Sequence, residues 1–504
     1  MGEIYTALET NSRRYPDKLA IKSLENSNFS YKELYEKVNT FASFLQIKGI
    51  SYKQQVGIIL DDFVNEIFVI FALNKLGCCI VPLDKSLTES QIKGLLSASK
   101  CNTVLTDCND RLLNVSELIV INCFDIKNHQ KQIEVNNFHY DTKQPFLITL
   151  SSGSTGNPKP IVFSELNKIN RFKQVTETYA LEKNDVILCA SPFHHSLGQR
   201  LTFLPLLLGG TLVKLDKFSP TRWIDSINSF GVTFTIPVSS HLMELLPLFK
   251  DMQNDHLKSL KILVSSSASI SVDAKKNLFS NYSFKFHEMY GCSETATATD
   301  LSCENIDKIS SVGKPLNEVE IKILVNGAFT HEHDKVGEIC IKSKNSFIGY
   351  YNNDSLTYDS FKEKFFKTGD LGYIDADGFL YFLNRKKDVI ISGGKNIYPS
   401  DIDSVLTAYS DDIFLCAIGA EDEFLGEVVV VAIEISSIDN SVIERNLRFL
   451  ANNNLAPFQR PLKYIFIKKF PRLSSGKIDK LSLTKEINSL NLQLGKKLAS
   501  LRSK

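Results

Sequence analysis

The stretch LSSGSTGNPKPIVFS, Leu150 to Ser164, packs hydroxyls, two glycines and one lysine between two apolar runs. PFLITL (145–150) before it and IVF (161–163) after it both read as strands. Glycine allows turns that aim successive N–H groups inward, so such a loop can gather donors around phosphate oxygens, and Lys159 adds a point charge. The spacing is not GxxxxGK[ST], which excludes a Walker A loop. On composition alone, a solvated linker explains the same residues equally well. Pro160 is the odd residue, because it lacks an N–H and biases Lys159 toward extended backbone.

Outward from this loop, short β-branched runs alternate with helical periodicity. QVGIIL (55–60), CCIVPL (78–83), NTVLTD (102–107), ELIVIN (117–122), DVILCA (185–190), GTLVKL (210–215), FTIPV (234–238) and KILVSS (261–266) read as strands. FVNEIFVIFALNKLG and TESQIKGLLSASK read as helices among them. The alternation predicts an α/β fold. Past about residue 310, EVEIKIL, GEICIKS and GYIDADGFLYFLNR predict a β-rich subdomain. From Lys386 onward, VVVVAIEI, an amphipathic stretch near 440–453 and YIFIKKF predict a small α+β lobe. The expected organisation is a large N-terminal domain over 1–385, made of α/β subdomains and the β-rich one, and a mobile C-terminal lobe over 386–504. The tail from Lys485 is a helical candidate with a basic end.

Bulk properties narrow the function classes. Lys+Arg 58 against Asp+Glu 57 leaves no basic surplus for nucleic acid. The longest apolar run, Ile67 to Leu83, is broken by Asn74 and Lys75 and fits a buried helix and strand better than a membrane span. Ten scattered cysteines without a CxxC pair, behind an N-terminus unlike a signal peptide, point to reduced thiols in a cytoplasmic protein.

Four further stretches occur in order with the loop. They are FSYKELYEKVNTFASFLQIKGI (29–50), HEMYGCSETA (287–296), FFKTGDLGYIDADGFLYFLNRKKDVIISGGKNIYPSDID (365–403) and FPRLSSGKIDK (470–480). Together with ITLSSGSTGNPK (148–159), this set resembles the signatures of the adenylate-forming enzymes: acyl- and aryl-CoA synthetases, firefly luciferases and peptide-synthetase adenylation domains. The resemblance spans almost the whole chain. It implies a two-step reaction, in which a carboxylate attacks the α-phosphate of ATP and a thiol then takes the acyl group from acyl-AMP. ATP, Mg²⁺ and coenzyme A, or the phosphopantetheine of an acyl carrier protein, are the implied cofactors and partners beside a small carboxylic acid.

The resemblance also assigns roles. Ser151, Ser152, Gly153, Ser154, Thr155, Gly156 and Lys159 would cradle the β- and γ-phosphates. Glu294 would ligate Mg²⁺, Ser293 would bond the α-phosphate, and Tyr290 with Gly291 would meet adenine. Asp370 would hold the ribose hydroxyls beside Arg385. Lys477 would reach the reacting carboxylate and α-phosphate from the C-terminal lobe. Lys387 stands at the hinge position, and Gly394 would line the thiol tunnel. Taken singly, each residue has an ordinary structural reading; the joint pattern reverses that.

ASPFHHSLGQR (190–200) resembles the segment beside the acyl pocket, with His195 as its gate. His194 and His195 are expected to point apart, which makes them poor joint metal ligands. Ser196 replaces the aspartate that holds an amino acid's ammonium in relatives, which disfavours an α-amino acid. Ser266, Ser267 and Ala268 would form a pocket wall, the serines standing where many members have glycine. These features favour an aryl or medium acyl acid over a long fatty chain. A carrier-protein ligase is the alternative within the same chemistry, and a catalytically degenerate, ATP-binding regulatory homologue is the alternative from another class. The latter is disfavoured because Lys477, Glu294 and Asp370 are all present.

Overall fold

Gln55–Ile59, Cys79–Pro82, Thr103–Thr106 and Ile119–Asn122 pair in parallel, and Cys79–Pro82 also pairs with strand β1, Pro145–Ser151. The computed structural model describes residues 2–24, 28–107, 118–128, 140–151, 159–251, 257–266, 270–409, 413–423, 425–434, 440–473 and 477–490. A parallel sheet is covered on both faces, so its strands are apolar throughout rather than alternating; Val56, Ile80, Val81, Val104 and Ile148 are fully buried. The interrupted run from Ile67 resolves into a helix, Phe63–Lys75, a left-handed Gly77 and the strand Cys79–Pro82. No described helix is long and apolar enough to cross a membrane.

Strand β2, Lys159–Ser164, folds back antiparallel on β1, with Ser151 opposite Lys159 and Leu150 opposite Pro160. The strand ends Ser151 and Lys159, on either side of residues 152–158, therefore lie side by side. Its expected phosphate ligands Ser152, Gly153, Ser154, Thr155 and Gly156 lie outside the described residues. Pro160 is already in the strand, and its carbonyl accepts from the Tyr351 N–H at 2.9 Å. Ser164 then caps helix α1, Glu165–Thr178, through a reciprocal capping box with Asn167. A second helix, α2, spans Ser196–Leu208 and is stopped by the left-handed Gly209.

The second large sheet runs in parallel through Thr211–Lys214, Val186–Cys189, Phe234–Thr235, Ile262–Ser265 and strand β3, Lys285–Cys292. Strand β4, Ala296–Ser302, closes back on β3 as a hairpin. FTIPV is a strand only over Phe234–Thr235; Pro237 has no N–H for a ladder, and pairing survives beyond it as a single bridge from Val238 to Ser266.

In the β-rich part Val319–Val325 pairs with Gly337–Ser343, which pairs with strand β5, Phe365–Ile374, and this pairs in turn with β6, Leu380–Arg385. After Arg385 a short turn, Lys386–Asp388, leads into a separate sheet. That sheet contains Ile390–Ser392, Lys395–Ile397, Phe414–Asp422, Gly426–Glu434 and Lys463–Ile467. Its two faces bury different sets: Ile397, Ile402, Val431 and Leu447 on one, Val430, Phe470, Leu483 and Ile487 on the other. The C-terminal helix covers Lys480–Ser489, and the basic end of the tail lies outside the described residues.

Candidate active site

Chemistry gathers where β1 and β3 end, the carboxyl edge at which open α/β sheets bind ligands. The hairpin β3–β4 carries Tyr290 and Gly291 on its first strand and Ser293 and Glu294 in its turn. The register slips between Tyr290 and Gly291, and Gly291 then faces Thr297. A Cβ at Gly291 would lie 2.0 Å from the Ala296 carbonyl oxygen, so only glycine allows the strands this close.

Glu294 is held by its backbone more than by its side chain. Its carbonyl accepts from the Phe347 N–H at 2.7 Å and from Arg171 Nη2 at 3.0 Å. Its carboxylate accepts one hydrogen bond, from the Tyr350 hydroxyl to Oε1 at 3.0 Å. Oε2 has no hydrogen bond among the described residues, so a half-buried carboxylate oxygen is left for a hard cation such as Mg²⁺. Lys159 Nζ stands 5.6 Å from the centre of the same Tyr350 ring, so the start of β2 and the acidic turn share one aromatic.

A second group forms around Asp370, 5% exposed on β5. Its Oδ2 accepts from the Tyr290 hydroxyl at 2.8 Å, and Oδ1 lies 3.4 Å from Arg385 Nε. Arg385 is the register partner of Asp370 across the β5–β6 ladder. Burial raises the Asp370 carboxyl above the usual range, opposed by Arg385, the Tyr290 hydroxyl and Lys477. Tyr290 thus ties the ribose candidate to the strand that carries Glu294, a link that the two motifs taken separately do not reveal.

Lys477 comes to this group from the C-terminal lobe. Its ammonium is pulled down to about 8 by burial and by Arg385, with Asp370 and Cys292 working the other way. The Lys477 carbonyl accepts from the Leu473 N–H at 2.8 Å, which holds Lys477 beside Leu473. Lys387 lies in the turn after Arg385, where burial lowers its basicity. Gly393 and Gly394 both have positive φ, 55° and 78°, between Ile390–Ser392 and Lys395–Ile397. A Cβ on Gly394 would meet no atom within 4 Å, so the demand for glycine here is backbone conformation.

On the acyl side, His195 is the N-cap residue of α2 and Ser196 its first residue. The His194 and His195 rings do not splay apart as expected: their centroids are 4.2 Å apart at 60°. His194 Nε2 is 3.4 Å from an Asp84 carboxylate oxygen, yet burial and His195 press the ring down to about 3. Ser266 is buried, and its carbonyl accepts from both the N–H and the hydroxyl of Ser239. Ser267 and Ala268 lie outside the described residues.

Sequence reasoning missed Arg171. This buried residue of α1 donates from Nε to the Asn345 carbonyl at 3.0 Å and from Nη2 to the Ser293 carbonyl at 2.9 Å. Its Nη1 is 3.5 Å from Ser196 Oγ. One guanidinium therefore joins the acidic turn to the start of α2. A cation beside Ser196 would repel a substrate ammonium, which strengthens the case against an α-amino acid. The available signal was an arginine on the helix face that also carries Lys168 and Val175; charge on an inward face is easily read as solvated.

Known proteins resemble the chain over most of its length. The 2-succinylbenzoate–CoA ligases of Bacillus pumilus (strain SAFR-032) and Bacillus mycoides (strain KBAB4) are each 27% identical to the chain, over 92% of it and 94% of the first, and over 94% of it and 97% of the second. The Bacillus subtilis o-succinylbenzoate CoA synthetase, solved with its acyl-adenylate intermediate OSB-AMP, superposes with a TM-score of 0.85 at 26% identity, covering 95% of this chain and 97% of that one. ATP-bound MatB from Rhodopseudomonas palustris shares the fold, with a TM-score of 0.88 at 23% identity and coverage of 97% and 100%. The model of the AMP-binding enzyme family matches residues 8–351. The chain belongs to the AMP-binding enzyme family, the adenylate-forming enzymes.

Proposed function

We propose that this protein is an ATP-dependent, AMP-forming acid–thiol ligase that activates an aryl or medium acyl acid as acyl-AMP, releases pyrophosphate and passes the acyl group to coenzyme A. The observation that supports this reading most is that Asp370, Arg385, Tyr290 and Lys477 gather in one group, with the Glu294 turn joined to it through β3. The large domain, 1–385, contributes all of them but Lys477, which the 386–504 lobe supplies.

In the first step a carboxylate oxygen of the acid bonds to the α-phosphorus of ATP as the bond to the β-phosphate oxygen breaks. Two anions must meet, so positive charge decides the rate. Lys477 supplies it beside the reacting oxygens. Ser293 bonds the α-phosphate, and Ser151 with Lys159 flanks the β- and γ-phosphates at the loop's two ends. Asp370 takes hydrogen bonds from the ribose hydroxyls, with Arg385 keeping it ionised. Glu294 would hold Mg²⁺, which neutralises phosphate charge when bound. His195 and Ser196 bound the acid at the mouth of the pocket. In the second step the lobe turns about Lys387, Lys477 withdraws and Gly394 comes to line the path of the thiol, which attacks the acyl carbon and expels AMP. The nine free cysteines among the described residues fit a reducing, cytoplasmic setting.

A pyrophosphate-exchange panel over aryl, fatty and amino acids, with 2-succinylbenzoate first, tests the reading. Exchange with an aryl or medium acid is expected. No exchange with any acid refutes it and leaves the regulatory homologue. Positive acids are then offered with coenzyme A and with holo-carrier protein; transfer to the carrier alone replaces the proposed acceptor.

A further inference from the structure

The turn that carries Glu294 is pinned through its main chain. Arg171 Nη2 donates to the Ser293 and Glu294 carbonyls at 2.9 and 3.0 Å, and the Phe347 N–H donates to the Glu294 carbonyl at 2.7 Å. Fixing the backbone does not fix the carboxylate. The last torsion of a glutamate is broad and roughly two-fold, so its two oxygens trade places easily unless a donor holds one of them. Here that donor is the Tyr350 hydroxyl, 3.0 Å from Oε1, and it makes the one hydrogen bond that the carboxylate accepts among the described residues. Tyr350 therefore decides that Oε2 is the oxygen left over.

Tyr350 can impose this choice because it is itself firmly held. It is 5% exposed. Its ring meets the Phe347 ring edge-on at 5.0 Å, and Phe347 packs in turn on Phe361 and Phe366. Its N–H donates to Thr357 Oγ1 at 2.9 Å. Gly349 and Tyr350 pair antiparallel with Val162 and Ile161 of β2, and the N–H groups of Ile348 and Tyr351 donate to the Val162 and Pro160 carbonyls. That strand begins at Lys159, whose Nζ lies near the same ring. One tyrosine is thus bonded to the carboxylate through its hydroxyl and laddered through its backbone to the strand that starts at Lys159. A phenylalanine would fill the same space beside Phe347; the hydroxyl is what reaches Glu294.

We propose that Tyr350 is the positioning residue of the metal site: its hydroxyl orients the Glu294 carboxylate so that Oε2 is the oxygen offered to a divalent cation. This rests on the reading of Glu294 as the Mg²⁺ ligand of an acid ligase. Groups that orient a metal's ligand from behind are worth about 10- to 100-fold in metal affinity, because a ligand held ready loses less freedom on binding.

The test removes that one oxygen with Tyr350→Phe, which keeps the ring against Phe347 and the ladder to β2. Calorimetry measures the affinity for α,β-methylene-ATP in EDTA and again with saturating Mn²⁺. The ratio of the two dissociation constants reads the metal's share and cancels any loss common to both. The wild type is expected to bind more tightly with Mn²⁺. In Tyr350→Phe the affinity in EDTA should be kept, and the gain from Mn²⁺ should fall about 10-fold or more. In pyrophosphate exchange the Mg²⁺ concentration for half-maximal rate should rise by a similar factor, with the KM for the acid unchanged. Excess Mg²⁺ should restore the rate, a rescue that a merely structural loss would not show. A wild type that gains nothing from Mn²⁺, or the same gain in both proteins, overturns the proposal. So does a loss in Tyr350→Phe that is as large in EDTA as with Mn²⁺. Calorimetry needs no acid, which keeps the two readings apart. A gain that depends on Tyr350 in a protein that exchanges pyrophosphate with no acid supports the positioning role and refutes the ligase reading, whereas an active ligase whose gain ignores Tyr350 overturns the positioning role alone.

Discussion

Lys477 gives the sharpest test of the adenylation site, because its environment sets a pH at which the site should fail. Its ammonium, pulled down to about 8 by burial and by Arg385, is charged below that pH and neutral above it. Only the charged form offsets the approach of carboxylate to phosphate. The kcat/KM for ATP, which reports the free enzyme, should therefore be level below pH 8 and fall about tenfold per unit above it. Bound triphosphate adds negative charge beside Lys477 and raises its affinity for the proton, so the limb in kcat should sit at higher pH than the limb in kcat/KM. Lys477→Arg keeps a charge across the whole range, and the alkaline limb should vanish even if misplacement lowers the rate. Lys477→Ala should lose about 100- to 1,000-fold in adenylation, the scale seen for removal of one transition-state charge partner. Exchange rates from pH 6.5 to about 10 measure all of this. A wild-type kcat/KM that stays level to pH 9.5, or a limb that persists unchanged in Lys477→Arg, would refute the reasoning.

Three further expectations follow from single positions. Gly291→Ala places a methyl 2.0 Å from the Ala296 carbonyl oxygen and should cost roughly 2–4 kcal/mol, seen as a lower Tm, with loss of adenylation in the fraction that folds. Pro160→Gly should change the ATP KM by less than about threefold, since Pro160 already sits in β2, and lower stability by about 0.4–1 kcal/mol through the unfolded chain; activity appearing only in the glycine variant would mean that the native loop is broken. Gly394→Leu forces a side chain onto φ 78° at a cost of about 1–2 kcal/mol, and in half-reactions it should slow transfer to the thiol far more than pyrophosphate exchange. An equal loss in both half-reactions contradicts the tunnel role.

The fold was legible because its signals are local. Runs such as CCIVPL and KILVSS bury both faces of a parallel strand and look the same wherever they occur, and the strand ends missed by a residue or two are where pairing frays. FTIPV overran because apolar character continues past Pro237 while hydrogen bonding cannot. The candidate site divides along the same line. Tyr290, Glu294, Asp370 and Lys477 sit in short motifs whose spacing carries the message. Arg171 does not: its meaning depends on which helix face turns inward and on carbonyls 122 and 174 residues away, at Ser293 and Asn345. The contact of the two histidine rings likewise depends on the bend before α2, which adjacency in sequence does not specify.

Asp370 and Arg385 face each other on the last hairpin before the lobe, and Arg385 is the residue just ahead of Lys386–Asp388. The proposed nucleotide grip and the proposed pivot are thus neighbours at the end of one hairpin, like a latch mounted on its own hinge pin. On the proposed reading, whatever Asp370 holds would pull on Arg385, and that pull would reach the backbone about which the lobe is proposed to turn. A change in occupancy at the ribose, from ATP to acyl-AMP to AMP, can therefore time the lobe without a separate relay. The clock for the two half-reactions would be the cargo itself.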